Sequence, residues 1–599
     1  MTFTAVRSKL PKDHPNLRSS LAAFLLLEKR EGNVDKALGY LEELTYLHLA
    51  RQDRDGLARS EREQLKSIAT TRPWVDQLLQ ELLLAKRFEQ AYDLTAASKG
   101  AVTARQCWLR LQRDFTDERT VKLIEELRSV DWQLLHMGLE GPEAKSQPKI
   151  DIGKRLQELT RRRDELERDL IAASPAFAAE KQRARRGLKE IAAALPENAV
   201  LIDFVEYVPV KTESKTGKQQ TEAARLGLFI VRPGPKLQWV DLGESKNMAE
   251  LVDGWRLGYG AALPSSKQPN PAAELRKLLW ERIEPHVQGA KLILVAPEGP
   301  LNGLPLAALP GKKAGSYLLE EYTFVNIPTP QLLPDLVDKA DPRFERPVSM
   351  LLVGDVDFGE PGTPFIPLAG TRSEINDIKD TFQRRIKEGK LNVLREDEAT
   401  KAAFTTESRK HRYMHLATHG TFADPSVKSA YAVENRERAL RSSLVFDRQV
   451  VGEHPGLLSG LAFAGANRKD KKGEAILTAL EVGEMELRGV EVVVLSACDT
   501  GLGRVAGGEG VLGLQRAFQV AGARTTVTSL WKVDDLRTQQ LMSRFYENLW
   551  KKKLGKVEAL REAQLWMLRE NVRGLTLPKG SKTLPPQFWA AFVLSGDWR

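Results

Sequence analysis

Along residues 1–195 the apolar positions recur at helical intervals. Leu17, Leu21, Phe24 and Leu25 follow i, i+4, i+7, i+8, and after Glu31-Gly32-Asn33 a second stripe runs through Ala37, Leu41, Leu44 and His48. These two stripes predict a helical hairpin. A second hairpin is expected from Pro73, a residue suited to a first helical turn, with a break near Ala85 to Arg87 and a stop at Gly100. Leu156, Leu159, Leu166 and Leu170 predict a long charged helix, and another is expected from about Ser174 to Ala194. Ala37 and Ala91 each place a small residue where two helices would approach closely, but they lie 54 positions apart. The pattern therefore reads either as a degenerate helical repeat or as an irregular bundle.

At Pro196 the period changes. The stretches AVLIDFVEYVPV and RLGLFIVRPGPKLQWVDL are rich in β-branched and aromatic residues and predict strands, with KTESKTGKQQTEAA between them as a polar hairpin loop. A helix near 271–288 and a buried strand in KLILVA follow, and DKADPRFERP marks a boundary. From Val348 onward, strands alternate with helices: VSMLLVGDVDF, LNVLREDEAT, RYMHLATHG, VEVVVLSACD, RTTVTSLWKV and FWAAFVLSGDW are the strands. Continuous apolar strands separated by helices indicate an α/β, mostly parallel sheet covered on both faces. The expected domains are 1–195 (helical), 196–345 and 346–599, with an irregular insertion over about 421–475.

Composition narrows the function classes. With 42% hydrophobic and 28% charged residues over 599 positions, the chain reads as a multidomain globular protein, and it contains no apolar run of membrane-spanning length. The first 20 residues do not form a secretory signal, and two distant cysteines, Cys107 and Cys498, suit a reducing compartment, so a cytoplasmic location is expected. No H-E-x-x-H or C-x-x-C occurs, so no metal and no cofactor is expected. The net charge of +10 is spread over helical faces and partly offset by acids, which favours solvated surfaces over direct nucleic-acid binding.

The chemistry concentrates at two strand ends. His419 closes HLATHG and Cys498 closes LSACDTG, 79 residues later. Reactive residues of parallel sheets gather at the carboxyl ends of the strands, so neighbouring strands would bring this imidazole and thiol to one edge. A thiol titrates near ~8.5, and a nearby imidazole can take its proton during attack on a carbonyl and return it to the leaving amine. The backbone N–H groups of Gly420 and Cys498 are candidate oxyanion donors. On the residues alone, a nucleophile and a small buried hydrophobe are equally good readings of Cys498. His415 alternates into the core, and His411 sits at the wrong end of its strand. The loop GLGRVAGGEG lacks the spacing of a phosphate loop and reads as a cleft wall leading into a helix, with Glu509 at the helix N-terminus.

The motifs LPLAALPG, YLLEEYTFVNIPT, HLATHGTF, EAILTALEVGEMEL, VVVLSACDTGLG, GGEGVLGLQRAFQVAGAR, TSLWKVDD and FWAAFVLSGDW resemble, in order over roughly 196–599, the CHAT family of caspase-like cysteine peptidases. The helices before them resemble degenerate tetratricopeptide repeats. The resemblance implies a caspase-like fold, with His419 as base, Cys498 as nucleophile and an acyl-enzyme intermediate. It also implies that 196–345 is the front half of the CHAT unit, a degenerate lobe without its own pair. A protein or peptide substrate is expected, with a regulatory protein or ribonucleoprotein partner at the helical region. Asp499 and Thr500 separate Cys498 from Gly501, unlike the single residue that follows the cysteine of true caspases, so an aspartate preference does not carry over. Asp499, Trp531, Asp534 and Asp535 are candidate pocket residues, favouring a basic side chain before the scissile bond; Asp534 and Asp535 also suit a helix cap. The alternative is a non-catalytic caspase-fold scaffold that binds protein or RNA.

Overall fold

The computed structural model describes residues 15–55, 59–111, 117–137, 152–174, 186–212, 219–234, 236–258, 270–338, 347–360, 365–422, 455–457, 459–468, 472–496, 504–506, 510–569 and 583–599. The chain divides into two compact units: the described residues of 1–187 with 207–224, and those of 188–206, 225–427 and 453–599.

The first unit is helical: α1 (Pro15–Glu31), α2 (Val34–Asp55), α3 (Glu61–Leu84), α4 (Phe88–Ser98), α5 (Ala101–Leu111), α6 (Glu118–Met137) and α7 (Ile152–Ala173). Leu17, Leu21, Leu25, Leu41 and Leu44 are buried, as their spacing requires. The breaks at Lys86 and Gly100, both in the left-handed region, fall where the sequence places them. Pro73 does not open a helix. It lies inside α3, which begins twelve residues earlier, where Ser60 and Glu63 form a reciprocal capping box. That cap and the buried stripe of Leu65, Ile68, Leu78 and Leu82 outweigh the hydrogen bond lost at the proline. The helix expected over Ser174 to Ala194 is described only as Leu188–Ala193. The polar segment expected as a loop instead pairs in part: Val210–Thr212 lies antiparallel to Gln219–Thr221. Asp76 and Gln80 of α3 accept the backbone N–H groups of Val208 and Val210.

His48 stacks on Trp74 with ring centroids 5.9 Å apart. Burial, reinforced by the charges of Arg18 and Arg51, pushes its pKa down from 6.5 to about 3. Below pH 6.5 the unfolded imidazole takes up a proton that the folded one refuses, so stability falls as pH drops from 6.5 toward 3. The slope is about 1.4 kcal/mol per pH unit. Urea midpoints at pH 6.5 and pH 5 should show the native chain losing about 2 kcal/mol more than His48→Phe over that interval. Equal losses would contradict this account of His48.

The second unit is built on an eleven-stranded sheet. Its strands are β1 (Ala199–Tyr207), β2 (Arg225–Arg232), β3 (Lys236–Glu244), β4 (Leu292–Ala296), β5 (Thr323–Asn326), β6 (Ser349–Val356), β7 (Lys390–Glu396), β8 (Tyr413–Leu416), β9 (Val492–Leu495), β10 (Thr525–Ser529) and β11 (Phe592–Gly596). The spatial order is β3-β2-β1-β4-β5-β11-β10-β9-β8-β6-β7. The run β10-β9-β8-β6-β7 is parallel, whereas β11 lies antiparallel to β10 and parallel to β5. The front strands β1, β4 and β5 therefore end at the edge opposite to that where β8, β9 and β10 end.

Helices cover both faces around β8. Met414 and Leu416 join a core with Phe404 of α8 (Lys401–Ser408) and Phe518 of α9 (Leu514–Val520). Tyr413 and His415, of opposite parity, meet Trp550 and Tyr546 of α10 (Asp535–Trp550). The helix Ala369–Arg385, between β6 and β7, packs beside α10. The α/β, mostly parallel sheet with flanking helices, preceded by an all-helical region, is thus the observed architecture.

Two local expectations fail. The helix after the glycine loop begins only at Leu514, and Gly510–Leu512 forms a strand antiparallel to Arg504–Ala506. Glu509 therefore precedes the helix by five residues and does not sit at its N-terminus; the β-branched Val505 and Val511 favour the hairpin over a helical start. The insertion is also not wholly irregular, because Gly420–Phe422, Ser459–Ala462 and Ile476–Thr478 form a three-stranded antiparallel sheet.

Candidate functional site

β8 and β9 are adjacent and parallel, with Leu416 opposite Leu495. His419 lies three residues beyond the first and Cys498 three beyond the second. The ladder continues past the strands through the Ser496 N–H, which donates to Leu416 O at 2.9 Å. Ser496 is the last described residue before Cys498. Cys498 and Asp499 lie outside the described residues.

His419 is held from several sides. Its half-buried ring packs against Phe358 and Phe365 at centroid distances of 5.1 and 5.6 Å. Nε2 lies 2.8 Å from the carbonyl oxygen of Ile366, so the tautomer that satisfies this contact carries its proton on Nε2. Nδ1 is then the nitrogen able to accept a proton. The backbone is pinned as well: Ala462 N–H donates to His419 O at 3.0 Å, and Thr418 Oγ1 donates to Ala462 O at 2.6 Å.

That pinning determines where the Gly420 amide points. His419 and Ala462 form the hydrogen-bonded pair, so Gly420 opposite Leu461 is the non-hydrogen-bonded one. Its N–H is directed away from that ladder.

Two other histidines of this stretch, His411 and His415, are buried. His411 lies at the amino end of β8, 1% exposed, with Nδ1 2.9 Å from Glu407 O. His415 is fully buried beneath the site: Nδ1 lies 3.2 Å from Tyr546 Oη, and Nε2 lies 2.9 Å from Glu374 Oε1. The same Glu374 oxygen accepts Ser496 Oγ at 2.8 Å. In the tautomer with the proton on Nε2, this ring donates to Glu374 and accepts from the tyrosine hydroxyl at Nδ1. Glu374 thereby ties the ends of β8 and β9 to the helix Ala369–Arg385.

The acidic and aromatic candidates separate. Asp534 is the N-cap of α10, and its Oδ1 accepts the Arg537 N–H at 3.3 Å. Asp535, one residue on, lines a cavity at the carboxyl edge together with Trp531, Glu374, Thr418 and Ser496. Trp531 is 3% exposed, meets Trp255 edge-on at 5.8 Å and donates Nε1–H to Gln587 O at 3.2 Å.

Two contributors escape sequence reasoning for different reasons. The Ile366 contribution is a main-chain carbonyl, which no side-chain pattern marks. Glu374 did leave a signal, being a carboxylate beside Thr371, Ile375 and Ile378 on the inward stripe of its helix.

Comparison with known proteins agrees with the motifs. Tetratricopeptide repeat protein 28 of Mus musculus is 24% identical over 328 residues, covering 51% of this chain and 12% of that protein. The Homo sapiens protein gives the same figures. The chain thus spans about an eighth of the length of these curated relatives. Among solved structures, the Arg-specific cysteine proteinase gingipain R aligns with a TM-score of 0.33 and 11% identity, over 59% of this chain and 74% of that one. The Saccharomyces cerevisiae separase–securin complex aligns at 0.37 and 11%, over 93% and 40%. Residues 269–597, more than half of the sequence, match the CHAT domain, and the chain belongs to the CHAT domain family.

Proposed function

We propose that this protein is a caspase-like cysteine endopeptidase acting through His419 and Cys498. The observation that supports the reading is the register of β8 and β9: Leu416 lies opposite Leu495, and in the sequence His419 and Cys498 follow these paired positions by equal numbers of residues. His419 Nδ1 takes the thiol proton as the Cys498 sulfur attacks the substrate carbonyl carbon, and the N–H groups of Gly420 and Cys498 hold the oxyanion. The C–N bond then breaks, the imidazolium proton passes to the departing amine and a thioester remains. Water, deprotonated by the same imidazole, hydrolyses the thioester to the carboxylate and restores the thiol.

Trp531 and Asp535 are assigned to the substrate pocket on the strength of the cavity they line, with Asp499 as a further candidate next to the nucleophile. Asp534 is assigned to the rim as a helix cap. The helical unit is the proposed site for a regulatory protein partner, and a reducing, cytoplasmic compartment suits an unprotected thiol.

The test is a proteome-derived peptide library treated with the native chain and with Cys498→Ala. New peptide termini are expected with the native chain only. Equal cleavage by the variant would remove Cys498 from the mechanism, and no cleavage by either, with or without a cell extract added as a source of activator, would favour a non-catalytic role.

A further inference from the structure

We infer that the cavity between the helix Ala369–Arg385, α10 and the carboxyl ends of β8, β9 and β10 receives a lysine side chain, the one preceding the scissile bond. This inference rests on the peptidase reading of the same edge, and Glu374 supplies the floor of the pocket.

Three properties of the cavity lead to lysine. The first is charge. Glu374 and Asp535 both line it, and among the described residues no lysine or arginine lines it. Glu374 is 2% exposed, and both of its hydrogen bonds, from His415 and Ser496, end on Oε1. Among the described residues no hydrogen bond ends on Oε2, which leaves it to accept from a group that enters the cavity. Asp535, at the rim, takes only a long contact of 3.4 Å from the Gly370 N–H.

The second property is size. The internal volume is about 30 Å³, room for one or two water-sized groups. An ammonium group is of that size, whereas a planar guanidinium carrying three nitrogens is broader. The third is the wall. Trp531, Leu368, Val533 and Phe592 offer apolar surface for a four-carbon stem, and Thr418, Ser496, Ser529 and Thr538 are the polar residues that line the same cavity. The position is also appropriate, since Ser496 lies two residues before Cys498 and Thr418 immediately precedes His419.

The experiment uses the full-length protein and a matched set of peptidyl acyloxymethyl ketones that differ only in the residue next to the warhead: lysine, arginine, norleucine or aspartate. The rate of Cys498 alkylation is followed by peptide mapping. Lysine should label Cys498 at least about tenfold faster than norleucine, which has the same stem without the charge, and faster than arginine. Glu374→Gln, which keeps acceptors for His415 and Ser496, and separately Asp535→Asn, should each lower the ratio of the lysine rate to the norleucine rate at Cys498. Circular dichroism and urea midpoints close to those of the native chain, with Cys107 labelling unchanged, report that the variants are folded. Norleucine, aspartate or arginine equalling lysine would overturn the inference while leaving the peptidase reading intact. Failure of all four to label Cys498 in preference to Cys107 would instead overturn the peptidase reading.

Discussion

His419→Ala is expected to lower kcat by roughly 10²- to 10⁴-fold, with KM within a few-fold of the native value. The expectation follows from how the ring is held. Phe358 and Phe365 flank it, and the Ile366 carbonyl fixes the proton on Nε2, so Nδ1 is presented as a base without any change of tautomer during turnover. Removing the ring deletes the proposed base and leaves the β8–β9 edge standing, because the anchoring bonds at this point come from the Thr418 hydroxyl and the main chain. His415→Gln makes an informative contrast. It alters the buried network under the site, so its principal cost should be in stability. A loss of activity equal to that of His419→Ala, with stability unchanged, would assign the base to the wrong histidine. The readouts are steady-state kinetics on a peptide cleaved by the native chain and urea unfolding of each variant.

The largest expected effect on stability at the site is that of Trp531→Ala. The indole is 3% exposed, packs edge-on against Trp255 and bonds the Gln587 carbonyl. Truncating a buried aromatic of this size costs about 3–5 kcal/mol, from lost transfer free energy and the void left behind. The Gln587 carbonyl also loses its donor, a cost of about 1–3 kcal/mol if water does not replace it. Trp531→Phe keeps most of the apolar contact and loses the bond, so it should fall between the two, near 1–2 kcal/mol. Urea unfolding of the three proteins measures this series. An alanine variant within about 1 kcal/mol of the native chain would show that Trp531 does not hold Trp255 to the end of β10.

The parts of this molecule that could be read from its sequence are those whose physics is local. Strands such as VVVL and SMLLVGDV announce themselves because, buried on both faces, they need no polar alternation. The strands that precede His419 and Cys498 could be expected in one parallel sheet from the alternation of strands and helices, and β8 and β9 are parallel neighbours. What could not be read depends on distant partners. Pro73 signals a helix start by itself, and only the capping box at Ser60 and the buried stripe around it show that the helix began earlier. The helix expected from Gly508 was displaced because Gly510–Leu512 finds a strand partner in Arg504–Ala506. Asp534 and Asp535 are adjacent and chemically identical, yet one caps α10 and the other faces a cavity, a distinction fixed by the turn geometry at the start of the helix. The Ile366 carbonyl is invisible in principle, since every residue but its conformation supplies the same group.

The central claim, that His419 activates Cys498, is tested most directly by the pH dependence of iodoacetamide alkylation at each cysteine. Cys107, on a helix and partly exposed, serves as the internal reference. The account predicts that Cys498 reacts faster than Cys107 at neutral pH and that His419→Ala lowers the Cys498 rate to that of an ordinary thiol while leaving Cys107 unchanged. Equal rates at the two cysteines, unaffected by His419→Ala, would contradict it.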